Sequence, residues 1–386
     1  MRYDKHKKKG KIIRMNQTLS NLRVLLPNGY QTCDVEIADG KFQRFIPVSS
    51  VTEPTLKMIP GFFDIHTHGA NGLDFSTIKD LDEAMSLLDY YASKGVTSLF
   101  PTLLTEHDDL IFRQMDLLYQ ASLRSSLIKG IHLEGPFLSK TYKGAQLEEC
   151  LQLPTPEKAE IFFQKSHGLL RYMTIAPELP GAKETIQKLV SLGVRVSCGH
   201  SDATFDETAI AHEAGATSIT HTMNAMKGIH QHFPSILSAA WYYDDFYNEV
   251  ILDGIHVASE MVEFMHKIKG TDHLIGITDS LMAAGLPDGH YFIGNTPITV
   301  ENHDCKITAT GVRAGSTLTM DRAFRNVKAF CHVGDLEAAK MTSLNAAKMT
   351  GLAERIGSLE PGKDADFVLL DDQDQLQGVY IHGTKH

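Results

Sequence analysis

The sequence has little cysteine, no long apolar run and no surplus of positive charge. Its five cysteines are scattered and form no Cys-x-x-Cys pair, which argues against a disulfide framework and favours a reducing, cytoplasmic environment. No apolar stretch approaches the roughly 18 residues that a membrane span needs, so we expect no membrane partner. The formal net charge of −10 argues against a nucleic-acid partner.

What the sequence does contain is an ordinary globular composition that is rich in histidine. Of its 386 residues, 42% are hydrophobic and 22% are charged, which suits one large core and a smaller satellite domain. A short basic run at 5–9 resembles a frayed tail more than a targeting signal. The 19 histidines matter more through their placement than through their number.

The chain divides into three parts by its pattern. Residues 1–59 contain alternating segments with hairpin signals at Asn28-Gly29 and Asp39-Gly40. Across 60–350, short apolar runs alternate with amphipathic segments, which favours βα units and a parallel sheet. Residues 351–386 contain a turn and a strand that we expect to join the N-terminal strands in one small β-sandwich domain.

The middle part predicts an α/β fold, a (β/α)8 TIM-type barrel. Eight strand candidates separated by helical stretches match such a barrel in number and size. The strands are expected to end near His68, Thr102, Glu134, Ala176, His200, His221, His256 and Asp279. A doubly wound open sheet is the alternative, but it usually carries a glycine-rich phosphate fingerprint after its first strand, and this sequence has none there.

The segment Pro60–Gly69 is typical of a short apolar strand that ends in two histidines. Side chains two apart on a strand point to the same side, so His66 and His68 would present both imidazoles together. Taken alone, such a pair is more often two solvated polar residues than a metal site.

The other strand ends change that interpretation. Histidine or carboxylate residues end six of the eight predicted strands, and strand ends of this kind converge on one mouth of a barrel. These residues are His66, His68, Glu134, His200, His221, His256 and Asp279. Nitrogen and oxygen donors suit zinc or iron, with manganese or cobalt also possible, and a carboxylate can bridge two ions. We therefore predict a site for one or two divalent metals.

These residues and the motifs around them resemble the amidohydrolase superfamily and, within it, the N-acetylglucosamine-6-phosphate deacetylase family. The motifs are His132–Phe137, Gly199–Ala203, His221–Met226, Asp253–His256 and Ala314–Ser316. The resemblance runs from Pro60 to the C-terminus and implies a barrel with a β-sandwich made from both termini, in a homodimer. It also implies hydrolysis of the acetamide of an N-acetyl amino-sugar phosphate, with N-acetylglucosamine-6-phosphate as the first expected substrate.

The resemblance implies roles for the residues at the mouth. Glu134, His200 and His221 resemble the ligands of one metal. His66 and His68 resemble those of a second, with Glu134 bridging the two ions.

Four further residues match functional positions of the family. Asp279 resembles the catalytic acid/base, which also reaches the second metal. His256, Asn224 and Ala225 resemble substrate-binding positions.

Two positions depart from the family pattern and leave the substrate open. Ala145 is followed by Gln146 where the family usually has histidine, and His232 replaces an arginine that reaches the sugar phosphate from the neighbouring subunit. We keep Ala145, Gln146 and His232 as candidate substrate contacts, while Lys227 or His230 could replace the arginine. N-acetylgalactosamine-6-phosphate or an unphosphorylated N-acyl sugar remain alternative substrates.

Two other functions fit the sequence less well than deacetylation. Amidohydrolases that act on cyclic amides typically carry a carboxylated lysine at the end of strand four, whereas strand four here leads into Ala176-Pro177-Glu178. A non-catalytic scaffold should lose metal ligands, and this sequence has kept all of those named above.

Overall fold

The computed structural model of the protein describes residues 17–49, 56–294 and 296–386. In chain order the strands are β1 (Gln17–Leu26), β2 (Gly29–Ala38), β3 (Lys41–Pro47), β4 (Lys57–Pro60), β5 (Phe62–Thr67), β6 (Gly69–Ala70), β7 (Leu73–Asp74), β8 (Val96–Leu103), β9 (Ile131–Glu134), β10 (Leu170–Ile175), β11 (Arg195–Cys198), β12 (Ser218–Ile219), β13 (Tyr247–Ile251), β14 (Leu274–Ile277), β15 (Gly289–Ile293), β16 (Thr296–Glu301), β17 (Asp304–Ile307), β18 (Phe367–Leu370), β19 (Leu376–Ile381) and β20 (Thr384–Lys385). The basic run at 5–9 lies outside the described residues.

The helices lie mostly between the strands of the barrel. They are α1 (Leu81–Ser93), α2 (Asp108–Ser122), α3 (Pro156–Lys165), α4 (Ala182–Ser191), α5 (Phe205–Glu213), α6 (Ile236–Tyr242), α7 (Ser259–Lys269), α8 (Met320–Cys331), α9 (Asp335–Ala339) and α10 (Asn345–Met349), with single 3₁₀ turns at Glu148–Cys150 and Thr271–His273 and a π-helical turn at Lys340–Leu344. Within the described chain, none of these helices combines the length and the apolar character that crossing a bilayer requires.

Local sequence explains where several of the helices begin. The Asp80 carboxylate accepts hydrogen bonds from the backbone N–H groups of Asp82 and Glu83, both at 3.0 Å, at the start of α1. Thr204 and Glu207 form a reciprocal capping box at the start of α5. Each cap satisfies backbone donors that the first turn of a helix leaves unpaired.

The barrel is an eight-stranded parallel sheet in the order β5, β8, β9, β10, β11, β12, β13, β14. All residues of β5 and β8 are buried, as expected for strands covered by helices outside and by packed side chains inside. Just beyond β5 and β14, the Asp279 N–H donates to His66 O and the His68 N–H donates to Ser280 O, both at 2.9 Å. These bonds bring the two edge strands together, and the predicted TIM-type barrel is confirmed.

A second sheet combines strands from both ends of the described chain. Its order is β20, β19, β18, β4, β1, β2, β3, and it has its own apolar core. Strand β4 pairs in parallel with β1 and antiparallel with β18, so N-terminal and C-terminal segments interleave. The predicted small β domain from both termini is confirmed, while its boundaries at residues 59 and 350 stay a prediction.

A third sheet, which we call the mouth sheet, consists of the antiparallel strands β15, β16 and β17, residues 289–307 without 295. Its buried face packs on residues at the open end of the barrel, including Leu104 and Leu281. The mouth sheet therefore covers part of the opening where the strand ends converge.

The predicted end of the seventh barrel strand is wrong. The sequence predicted that this strand continues to His256, whereas β13 ends at Ile251. The Asp253 carboxylate accepts hydrogen bonds from the backbone N–H groups of Ile255 and His256, each at 2.8 Å. This local bonding turns the chain immediately after the strand, because aspartate competes well for nearby backbone donors.

Candidate metal centre

Four histidines meet at the carboxylate of Glu134. Its Oε1 lies 3.0 Å from Nε2 of His200 and 3.2 Å from Nε2 of His221. Nε2 of His66 is 3.3 Å from the same oxygen, and Nε2 of His68 is 3.3 Å from Oε2. The five buried side chains form two overlapping groups that share Glu134, and each group could hold a metal ion. The structure thus brings together residues that the sequence separates widely.

Asp279 adjoins only one half of this cluster. Its Oδ1 lies 3.2 Å from Nε2 of His68 and 3.6 Å from Nε2 of His66. The bond from its backbone N–H to His66 O holds the aspartate at the end of the strand pair. Asp279 is therefore beside the His66 and His68 group, and its contacts leave the other two histidines to Glu134.

The charges of the cluster are strongly coupled. Burial lowers the pKa of His68, but hydrogen bonds with Asp279 and Glu134 raise it more, to about 9. Burial raises the pKa of Glu134, but His66 and His200 hold it well below its usual range. Two carboxylates thus attract positive charge into a buried space, which a metal cation can supply in place of imidazole protons.

The residues present fit a metal ion. Nε2 of His66 is buried and forms no hydrogen bond to any described residue, although it is directed at the cluster. An unpaired buried nitrogen costs free energy unless a ligand satisfies it. Imidazole and carboxylate donors are those that zinc and iron accept in proteins.

A second carboxylate, Glu249, holds His66 from behind. Nδ1 of His66 donates to Oε2 of Glu249 at 3.0 Å, which directs Nε2 into the cluster. Oε1 of Glu249 accepts a hydrogen bond from the Tyr172 hydroxyl at 2.5 Å, and Oε2 also accepts one from the His221 N–H at 3.0 Å. Sequence reasoning missed this residue, although a carboxylate inside the apolar strand β13 was a signal for it.

His132 lies in the barrel below the cluster. Its two ring nitrogens are 3.2 Å from Oγ1 of Thr102 and 2.9 Å from Oγ1 of Thr174. Burial and the neighbouring His66 lower the pKa of His132 well below its usual value, so the ring is neutral. Its ring packs edge-on against His66, with 4.6 Å between centroids. These contacts favour a buried structural histidine over a metal ligand.

Several residues at the mouth have a left-handed backbone. The φ angles are 47° at His200, 27° at His221, 46° at Ala225 and 48° at Asp279. Such conformations cost of order 1–3 kcal/mol at residues with a side chain, and they are concentrated at functional sites. Here the sharp turns after the strands direct the side chains into one cavity.

A cavity of about 570 Å³ lies directly above the cluster. Its lining includes these candidate substrate contacts: Ala145, Gln146, Asn224, Ala225 and His256. His232 does not line it and instead borders a separate open cavity of about 1070 Å³ with Lys227 and His230. Within one chain, the structure therefore assembles every candidate contact except His232.

Gln146 contacts the shared carboxylate directly. Its Nε2 donates to Oε2 of Glu134 at 2.5 Å, and its Oε1 accepts from the Thr105 N–H at 2.8 Å. The side chain is buried, and both ends of its amide have partners. Glutamine at this position thus restrains the orientation of Glu134.

The amidohydrolase family model matches residues 58–385. The chain belongs to the amidohydrolase family. Amidohydrolases are metal-dependent, in agreement with the two buried groups of donors described above. The family expected from the sequence is thus confirmed.

Curated amidohydrolases resemble the chain over most of its length. It is 34% identical over 365 residues to an N-acetylglucosamine-6-phosphate deacetylase of Bacillus subtilis (strain 168), covering 90% of this chain and 89% of the relative. It is 33% identical over 379 residues to an N-acetylgalactosamine-6-phosphate deacetylase of Escherichia coli O157:H7, covering 96% and 99%.

A solved amidohydrolase structure shares the whole architecture. A mutant N-acetyl-D-glucosamine-6-phosphate deacetylase of Mycobacterium smegmatis, in complex with N-acetyl-D-glucosamine-6-phosphate, matches with a TM-score of 0.89 and 31% identity. The match covers 96% of this chain and 99% of that one. The similarity therefore includes both the barrel and the sheet made from the two termini.

Proposed function

We propose that this amidohydrolase removes the acetyl group from N-acetylglucosamine-6-phosphate, releasing acetate and glucosamine-6-phosphate. One observation carries the proposal: Glu134 joins two histidine pairs beside Asp279 on the floor of a cavity of about 570 Å³. Such a centre suits attack of water on an amide, and relatives of that name are about one third identical over most of the chain.

The proposed metal ligands fall into two groups. One divalent ion would be held by Glu134, His200 and His221, and a second by His66, His68 and Glu134, with Asp279 adjoining. A bound divalent ion supplies Lewis acidity, which polarises the amide carbonyl and lowers the pKa of water. The donor set favours zinc or iron, and it also accepts manganese or cobalt.

Asp279 is the proposed proton carrier. Burial raises its pKa, but His66 and His68 lower it below the usual value, so the carboxylate is ionised at neutral pH. In that state it can accept a proton from the attacking water and return it to the leaving nitrogen. Its anchored backbone holds the carboxylate beside the proposed second metal position.

The proposed substrate contacts lie around the cavity above the carboxylates. His256 has its Nδ1 bonded to Asp253 at 2.7 Å, while its buried Nε2 has no partner among the described residues. That nitrogen is available to a substrate oxygen. Asn224, Ala225 and Ala145 line the same cavity, whereas the Gln146 amide is already bonded and acts mainly on Glu134.

N-acetylgalactosamine-6-phosphate is the second candidate substrate. The observation in its favour is the similarity to the Escherichia coli relative of that name, which extends over 96% of this chain. The two sugars differ only in the configuration at one carbon, so the same acetamide chemistry serves both.

A substrate screen tests the proposal. Metal-loaded protein is incubated with phosphorylated and free N-acetyl-glucosamine, -galactosamine and -mannosamine, with a cyclic amide such as dihydroorotate beside them, and acetate or ring opening is measured. We expect the highest kcat/KM for N-acetylglucosamine-6-phosphate. Absence of acetate release from every sugar would contradict the proposed function. Turnover of the cyclic amide alone would instead indicate an amidohydrolase that acts on cyclic amides.

We also propose a homodimer, as the family resemblance implies. Three exposed apolar side chains border the open cavity that also contains His232: Ile229 (55%), Phe233 (67%) and Tyr242 (70%). A contiguous apolar surface of this kind commonly marks a protein–protein interface. We expect Phe233→Asp to shift the protein towards monomer in analytical ultracentrifugation, whereas Leu123→Asp, at a residue 66% exposed elsewhere, should not. A monomeric wild type contradicts this proposal.

The proposed location is the cytoplasm. All five cysteines, which lie in the described chain, are free and buried. Free thiols persist where the environment is reducing. Labelling of a tagged protein in fractionated cells would test this location.

A further inference from the structure

The outer wall of the cavity carries two permanent cations. Lys306 and Arg313 are its only lysine or arginine residues within the described chain, and both come from the mouth sheet or the segment directly after it. The metal-binding floor contributes carboxylates and histidines instead. Cations that come from a different sheet than the carboxylates are suited to the end of a substrate that is not being hydrolysed.

The backbone around Arg313 is fixed to the catalytic end of the barrel. The backbones of Arg313 and Lys306 form an isolated antiparallel β-bridge, and the Ala314 N–H donates to Cys305 O at 3.2 Å. Two residues further on, the Ser316 N–H donates to the carbonyl of Asp279 at 2.7 Å. Because these bonds tie the segment to the strand end that carries Asp279, Arg313 has a defined place relative to the reacting group.

The two cations retain unused hydrogen-bond donors. Nε and Nη2 of Arg313 donate to the carboxylate of Asp304 at 2.9 and 3.1 Å, and Nζ of Lys306 lies 2.7 Å from the same carboxylate. A guanidinium has five N–H groups and an ammonium has three, so donors remain on both. Their side chains are 48% and 44% exposed, and an ion pair this exposed contributes little, so both can turn towards an anion.

His256 places a third polar group on the same cavity, and its Nε2 donates when the ring carries both protons. Its side chain is only 6% exposed, and its Nε2 has no hydrogen-bond partner among the described residues. Burial lowers the pKa of His256, but Asp253 raises it more. Arg313 opposes this rise, which shows that the guanidinium charge acts on the imidazole. Three carboxylates lie near this group. Asp253 is bonded to His256, Asp304 is bonded to the two cations, and Asp279 on the cavity floor also raises the pKa of His256.

We propose that Arg313 and Lys306 bind the 6-phosphate of the substrate from within the same chain, with His256 completing the contact. Arginine can grip a phosphate through two parallel N–H groups, which histidine cannot. The inference rests on the proposed deacetylase function and names the phosphate contacts of that site. It differs from the arrangement that the resemblance implied, because His232, which stands in place of the neighbouring subunit's arginine, lies outside this cavity in its own chain.

The main test compares phosphorylated with free substrate. kcat/KM is measured for N-acetylglucosamine-6-phosphate and for N-acetylglucosamine with wild type, Arg313→Gln and Lys306→Gln. We expect the preference for the phosphorylated sugar to fall about 10- to 100-fold in Arg313→Gln, mainly through KM, and less in Lys306→Gln. Arg44→Gln is the matched control, since Arg44 also makes two bonds to one carboxylate, that of Glu36, but on the terminal sheet.

An unchanged preference in Arg313→Gln would overturn the inference. A companion variant, His232→Ala, tests the rival arrangement, in which His232 of a neighbouring subunit binds the phosphate. Loss of the preference for the phosphorylated sugar in that variant alone would support the rival.

A binding experiment separates this inference from the proposed function. Glucose-6-phosphate and glucose are titrated into metal-loaded protein by calorimetry. Tighter binding of glucose-6-phosphate, weakened about 10-fold or more in Arg313→Gln, supports the phosphate site even if no sugar is deacetylated. Equal binding of both sugars, or no effect of the substitution, overturns it whatever the screen of substrates shows.

Discussion

Glu134 and Asp279 are two buried carboxylates in one cavity, and their contacts separate their proposed roles. Four imidazole nitrogens surround Glu134 within 3.3 Å, and the Gln146 amide adds a fifth contact. Asp279 touches the imidazoles of only two histidines. A carboxylate between two pairs of imidazole nitrogens is placed to bridge two ions, whereas one beside a single pair can also transfer a proton.

The first prediction concerns Asp279. We expect Asp279→Asn to lower kcat about 10²- to 10⁴-fold, because the amide cannot carry the proton, while the remaining ligands retain metal. Steady-state kinetics and metal content per chain check both parts. Asp89→Asn, at an exposed position on α1, serves as the control. A variant with near wild-type kcat would remove Asp279 from its role.

The second prediction concerns Glu249, which orients His66 without facing the cavity. We expect Glu249→Gln to weaken metal binding about 10- to 100-fold, because the imidazole loses its anionic partner. Titration of metal-free protein against a competing chelator measures this affinity. Glu354→Gln, at an exposed position, should leave it unchanged, and an unaltered affinity in Glu249→Gln would show that His66 needs no such support.

At the scale of elements, a single residue links the two largest sheets. Gly61 lies between β4 of the terminal sheet and β5 of the barrel. Its N–H donates to Asp366 O at 3.2 Å, and its carbonyl accepts from the Ser343 hydroxyl at 2.7 Å. The strand that carries His66 and leads to His68 is thus held by hydrogen bonds from Asp366 and Ser343, which lie far along the chain.

The third prediction tests this link. A Cβ at residue 61 would lie 2.2 Å from Oγ1 of Thr97, which is buried and cannot move into solvent. We expect Gly61→Ala to lower the free energy of unfolding by about 1–3 kcal/mol, as overpacking typically does. Denaturant titration of metal-saturated protein measures it.

Gly228→Ala is the matched control for that experiment. A Cβ there meets no atom within 4 Å, and the φ angle is outside the left-handed region. Equal stabilities of the two variants would mean that the segment around Thr97 relaxes freely.

At the scale of the whole molecule, the candidate metal centre brings distant segments of the chain together. Its candidate ligands come from β5 and its end, from β9, and from the turns after β11, β12 and β14. A metal held by all of these binds the folded chain and not the unfolded one. Metal binding should therefore stabilise the whole barrel rather than one loop.

The fourth prediction follows from this coupling. Removing metal with a chelator should lower Tm by several degrees, because a ligand present at 100 times its Kd contributes about 2.7 kcal/mol to folding. Scanning calorimetry before chelation, after it and after metal is restored measures the effect. The same chelator presaturated with zinc is the control. An unchanged Tm would indicate that the cluster binds no metal in the protein as prepared.

Much of the site could be predicted because it follows a local pattern. His66, His68, Glu134 and Asp279 each follow a short apolar run, and parallel strands of a barrel converge at their carboxyl ends. His256 shows the limit of this reasoning, since a turn held by Asp253 moved it beyond the strand while leaving it on the cavity.

Other features could not be predicted because they depend on contacts between residues far apart in the chain. Glu249 lies inside a strand, where its partner is 183 positions away. Gln146 stands where the family usually has histidine, and only the fold shows that its amide is bonded to Glu134.

The sequence by itself determined the alternation of strands and helices, the barrel and most of the residues at the strand ends, because hydrophobic periodicity and strand termini are local properties. Its short motifs carried the resemblance to the family. Only the tertiary structure decided which carboxylate supports His66 and which hydrogen-bond donors line the cavity. It also showed that His232 does not line that cavity in its own chain. Those outcomes depend on the barrel's closure and on the position of the mouth sheet, which arise from packing between segments that no spacing along the chain records.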